Sequence, residues 1–215
     1  MKIQFISKSL IAVLLATQLS ACGILAVGGV AAGASVMADR RTPGVQAIDN
    51  GIEMEANAAL SKRFGDNAHI NVTSFNQKVL LTGEAKDADI KGEAGAYVKA
   101  MKNARTVFNE IVIGPNSTYT ARANDSYLES KIKTQMIFTD KLPSNSMSIV
   151  AEGTSIYLMG ILTQNEADLA KKVASNTNGV KDVYVYFDII SDAKKNRLEK
   201  QGKALRGLLL TRKCR

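Results

Sequence analysis

Tryptophan is absent from this chain of 215 residues, histidine occurs once, as His69, and cysteine twice, as Cys22 and Cys214. Each scarcity excludes a class of chemistry. So few histidines and cysteines cannot build a zinc cluster. A Ser-His-Asp set would have to rest on His69 alone. No GxxxxGK[ST] or GxGxxG run signals a phosphate cradle. Aromatic residues make up only 6%. What is present is ordinary: 46% hydrophobic and 22% charged residues, a globular composition that rules out wholesale disorder. The length suits one or two small domains.

The net charge of +8 is unevenly placed. From Ala193 to Arg215 there are nine basic residues and one acid, Glu199, a net +8. Residues Cys22 to Asp192 hold 17 basic and 19 acidic side chains. Lys2 and Lys8 supply the rest. A near-neutral body with a basic tail results, not a basic protein.

The first residues predict export. Lys2 and Lys8 form a positive start, Leu10 to Ala16 (LIAVLLA) an apolar stretch too short to span a bilayer, and small residues follow at Ser20 and Ala21. Leu19-Ser20-Ala21-Cys22 resembles the lipobox of bacterial lipoproteins, whose cysteine thiol receives diacylglycerol. The plainer alternative is a soluble secreted protein with a chance cysteine. Gly23, where Asp would resemble an inner-membrane signal, resembles an outer-membrane address. The expected layout is a signal peptide over 1–21, then Cys22 with a Gly/Ala-rich linker to residue 45. If Cys22 carries lipid, Cys214 is the remaining thiol in an oxidising compartment.

Self-comparison finds a duplication. DNGIEMEANAAL (49–60) and DSYLESKIKTQM (125–136) both begin with Asp and space apolar residues helically. Asp49 and Asp125 are predicted N-caps. INVTSFNQKVLLTG (70–83) and MSIVAEGTSIYLMG (147–160) each read as a β-hairpin whose second strand ends in Gly83 or Gly160. Second helices are predicted over Ala85–Lys102 and Asn165–Asn176, third strands over Thr106–Ile113 and Lys181–Ile189. The fold class is therefore α+β: two tandem αββαβ modules, over 46–115 and 124–191, each a three-stranded mixed sheet with two helices on one face. A basic tail occupies 192–215.

The αββαβ order, the V-x-L-x-G late in the first hairpin (Val79, Leu81, Gly83, matched by Ile156, Leu158 and Gly160) and Gly179-Val180-x-x-Val183 resemble the BON domain. Two such modules behind a lipobox resemble the dual BON-domain outer-membrane lipoproteins of the DolP type. Asn103-Ala104 replaces Gly-Val in the first copy, so a different turn is expected there. The resemblance implies an outer-membrane, lipid-anchored protein on the periplasmic face. It also implies that the first helix of the second module contacts anionic phospholipid.

No catalytic residue is predicted. His69 reads as a surface or strand-edge histidine. Glu53 with Glu55, and Glu84 with Asp87, sit on faces expected to be solvated, without an opposed partner across a cleft. Neither a metal nor a cofactor is expected beyond the covalent lipid on Cys22. Tyr127 stands where the first copy has Gly51, near Lys131, Lys133 and Lys141, a combination suited to a membrane interface. Together with what the resemblance implies, this assigns phospholipid binding to Tyr127, Leu128, Ile132 and Ile137. The competing reading makes Leu128, Ile132 and Met136 a core stripe. In the tail, Asn196 to Leu210 places Leu198, Leu205, Leu208 and Leu209 near one helical face. Gly202 and Gly207 weaken that pattern, and a frayed tail is the alternative. The functional expectation is a non-enzymatic envelope lipoprotein that binds anionic phospholipid and supports outer-membrane integrity. The β-barrel assembly machinery is a candidate partner, while nucleic acid and small-molecule substrates are not. The alternative is a periplasmic scaffold for an envelope protein or peptidoglycan.

Overall fold

Two apolar hairpins organise the chain, which in this computed structural model is described over residues 39–212. Helix α1 (Pro43–Phe64) leads to strands β1 (Ala68–Phe75) and β2 (Lys78–Ala85), helix α2 (Ala88–Ala100) and strands β3 (Thr106–Asn109) and β4 (Val112–Ile113). The second copy repeats this as α3 (Tyr119–Phe138), β5 (Met147–Glu152), β6 (Ser155–Leu162), α4 (Gln164–Ser175) and β7 (Asp182–Ile189). Helix α5 (Asp192–Arg212) follows. In each sheet the hairpin is antiparallel and the last strand lies parallel to the central one, β2 or β6. The class is α+β, as expected, with two three-stranded mixed sheets.

The expected strand over 106–113 is interrupted. β3 and β4 keep one register on β2, Lys78 opposite Thr106 and Glu84 opposite Val112. Between them the Asn109 side chain accepts from Ile111 N–H and donates to Lys91 O, turning Ile111 into the core. The turn before β3 does not differ between copies: Asn103 and Gly179 both take positive φ, 75° and 106°. Asparagine tolerates the left-handed region better than most residues.

Asp49 and Asp125 are not N-caps. Thr42 and Thr118 hold that position, their hydroxyls accepting from Val45 N–H and Ala121 N–H, so both helices start earlier than expected. The two aspartates lie buried in the second turn, facing the hairpin. Asp49 accepts from Ser74 Oγ, Asn76 N–H and Gln77 N–H, and Asp125 from Gly153 N–H. Gly83 and Gly160 likewise do not end their strands; they allow a close approach. A Cβ on Gly83 would lie 2.0 Å from His69 O, and one on Gly160 2.9 Å from Ser146 O.

One face of each sheet packs on its helices. Ile52, Ala56 and Leu60 of α1 meet Val79 and Leu81 of β2, while Leu128, Ile132 and Met136 of α3 meet Ile156 and Leu158 of β6. The other faces pack against each other: Phe75 and Leu80 share a cluster with Tyr157, Met159 and Ile161. Polar contacts close the seam. Tyr186 donates to Glu110, Asn76 donates to Asp188, and Lys78 pairs with Asp188 at 2.7 Å. The central strands are therefore covered on both faces, so their sequences are apolar at consecutive positions.

Candidate functional site

Helix α3 has two sides. Its core side carries Asp125, Leu128, Ile132 and Met136. Leu128 is 8% and Ile132 0% exposed. Both are core residues, which corrects their assignment to the lipid contact: at helical spacing they share a stripe with Met136 that the sheet covers. The opposite side carries Tyr119, Tyr127, Ile137 and Phe138, exposed to 87%, 66%, 43% and 80%. Tyr127 and Ile137 are thus at the surface.

The duplication supplies an internal control. Matching the core stripes of α1 and α3 residue by residue puts Pro43, Gly51, Ser61 and Lys62 opposite Tyr119, Tyr127, Ile137 and Phe138. Two helices of one architecture bury equivalent residues, yet none of the four has a large apolar counterpart in α1, whose outer face carries a single exposed one, Met54. Packing cannot require them. Sequence reasoning misses Tyr119 and Phe138; comparing each against its counterpart in the first copy is the signal that finds them.

The lysines divide. Lys133 is half-buried and donates to Ser144 O at 2.6 Å; burial lowers its pKa, against the opposing pull of Glu129 and Asp39. It braces the body and is not free to meet headgroups. Lys131 donates to Asn178 O, and Lys141 is exposed in the turn after the helix. Arg122 stacks over Tyr119, 5.1 Å from the ring centre.

Beside α3 lies a cleft of about 590 Å³ between β1 and β5, lined by Glu53, His69, Arg122, Asp125, Glu129 and Glu152 among others. Burial, then the nearby charges of Glu84 and Asp125, push Glu152 up to about 7. Burial and then Arg122 lower His69, which sits within β1. Glu53 accepts from Ser74 N–H, and Glu84 accepts from Ser117 N–H, so neither is simply solvated. The wall is polar, unlike the slot an acyl chain requires. Among the described residues no group of three or more His, Cys, Asp or Glu could hold a metal ion. Cys22 and Cys214 lie outside the described residues.

Residues 49–115 and 124–190 each match the BON domain. The chain belongs to the BON-domain family. It is a two-module member of the DolP type, being 30% identical over 171 residues to the outer membrane lipoprotein DolP of Haemophilus influenzae, across 79% of this chain and 89% of that one. A 21 kDa hemolysin of Actinobacillus pleuropneumoniae is 29% identical over 67% of this chain and 76% of its own. Among solved structures, that of CdsD, a structural protein of the type III secretion system of Chlamydia trachomatis, has a TM-score of 0.27 at 14% identity over 70% of this chain and 68% of its own. The likeness to DolP over most of both chains makes this BON protein an envelope lipoprotein of the outer membrane.

Proposed function

We propose that this BON protein is a non-enzymatic lipoprotein, acylated at Cys22, that binds anionic phospholipid through the outer side of α3 and thereby supports outer-membrane integrity. The assembly machinery of β-barrel proteins is its proposed partner. One observation carries the lipid contact: four large apolar side chains, Tyr119, Tyr127, Ile137 and Phe138, are exposed on a helix whose duplicate in the same chain has none at those places. Tyrosine suits the headgroup layer, with an apolar ring and a polar tip. The helix spans about 30 Å and lies along the surface. Among the described residues no helix is long and apolar enough to cross a membrane.

Vesicle flotation of unacylated protein tests this. Binding is expected to rise with the anionic fraction. Tyr127→Glu and Phe138→Glu should each sharply weaken it while leaving the melting temperature within about 2 °C, since exposed substitutions cost little. A large drop in melting temperature would make these residues structural. Parent protein that binds no vesicle would favour the scaffold reading.

A further inference from the structure

Helix α5 lies beyond both BON matches and is fixed to the body along one side. Lys195 pairs with Glu166 at 2.8 Å, Glu199 accepts from Arg40 at 2.9 Å, and Leu198 packs against the buried cluster of Phe75, Leu80, Tyr157, Met159, Ile161 and Ile190. These residues stand at i, i+3 and i+4, one face of a helix. Lys194, Arg197 and Lys200 are exposed. Among the described residues none of the three joins an ion pair.

Arg40 ties this helix to the start of the described chain. Its guanidinium forks onto Glu166 at 2.7 and 2.9 Å, reaches Glu199, and donates to Ile161 O, while its N–H donates to Ser146 Oγ. Cys22 stands 18 residues before Arg40. That length of chain reaches at most about 60 Å. A lipid on Cys22 would hold Arg40, and with it α5, within that distance of the bilayer. Confinement of this kind gives an effective concentration in the millimolar range, enough for a weak charge attraction to act.

We propose that Lys194, Arg197 and Lys200 form a second membrane contact, docking α5 on anionic phospholipid headgroups of the bilayer that holds the anchor. The confinement rests on the acylation of Cys22; the charge contact does not. It is also separate from α3, being electrostatic where α3 is apolar.

The test uses the whole mature chain with Cys22→Ser, so that no acyl group masks weak binding. Flotation compares it with a Lys194→Gln, Arg197→Gln, Lys200→Gln variant on phosphatidylcholine vesicles with and without phosphatidylglycerol. Three exposed charges near an anionic surface correspond to roughly two orders of magnitude in affinity. The variant should therefore lose ten- to hundredfold on anionic vesicles at about 50 mM salt, with the gap closing at about 300 mM. Replacement by Arg at 194 and 200, keeping Arg197, should retain binding. Equal binding of variant and parent at low salt overturns the proposal, as does an equal loss on pure phosphatidylcholine. An acidic protein as the true partner would leave vesicle binding unchanged by the triple substitution, and so overturns it too. Tyr127→Glu run alongside separates the two readings: loss there with none in the triple variant leaves α3 standing and removes α5, and the reverse outcome leaves α5 alone.

Discussion

A single carboxylate holds each hairpin turn. Asp49 collects two backbone N–H groups and a hydroxyl, donors that the buried turn would otherwise leave without partners. Arg41 then pairs with Asp49 at 2.9 Å. Glu152, in the cleft, is the opposite case: its carboxyl ordinarily titrates at 4.5, but burial first and the charges of Glu84 and Asp125 next raise it to about 7. The folded chain thus holds this proton more tightly than the unfolded chain. Its contribution is fully present below about pH 4.5 and is lost as pH climbs through 7. Glu152→Gln keeps the neutral form at every pH. It should raise stability by about 1–2 kcal/mol at pH 8, a figure reduced for solvent screening in the open cleft, and by nothing near pH 4. Thermal melts across that range check this; a gain that is flat with pH would mean Glu152 does not titrate there.

Among the elements, α4 and α5 meet through Glu166. Burial alone would raise its pKa, but hydrogen bonds from Arg40, Lys195 and the Thr163 N–H hold it at about 2, below its ordinary 4.5. This contribution is present above about pH 4.5 and fades as pH falls through 2. Glu166→Gln should cost about 2–3 kcal/mol at pH 7, because it removes the carboxylate onto which the buried Arg40 forks and leaves only the partly exposed Glu199 to balance that charge. Urea unfolding at pH 7 and at pH 3 measures both the cost and its narrowing in acid. The partners of Glu166 were only partly legible. Thr163-Gln164-Asn165-Glu166 carries the T-x-x-E sign of a capping box, which the structure forms. Nothing local announces that Arg40, over a hundred residues away, will fork onto it. The predicted tail pattern proved a helix over Asp192–Arg212, and Leu198 faces the body.

For the molecule as a whole, the duplication was readable because each hairpin alternates and each first helix has a clean stripe. Module packing was less so. Val79-Leu80-Leu81 and Ile156 to Leu162 are nearly unbroken apolar runs, a sign of strands covered on both sides, and Leu80 with Tyr157, Met159 and Ile161 forms the seam. The split of α3 into buried Leu128 and Ile132 and exposed Tyr127 and Ile137 needed the structure, because helical spacing alone gives a stripe without saying which way it faces. At this scale the anchor can be tested directly. Cys22→Ala should abolish palmitate labelling and leave only weak, reversible membrane association, since α3 and α5 bind reversibly where acyl chains hold fast. Tight association that survives salt would show that something other than lipid on Cys22 holds the protein. Arg40 also decides how the molecule takes strain. It precedes the first module in the chain, yet its guanidinium and N–H are gripped by Glu166, Ile161, Ser146 and Glu199, all in the second module or in α5. A mechanical pull from the membrane would therefore be felt first by the far end of the polypeptide, and α1 would begin to unwind only after that clasp had torn.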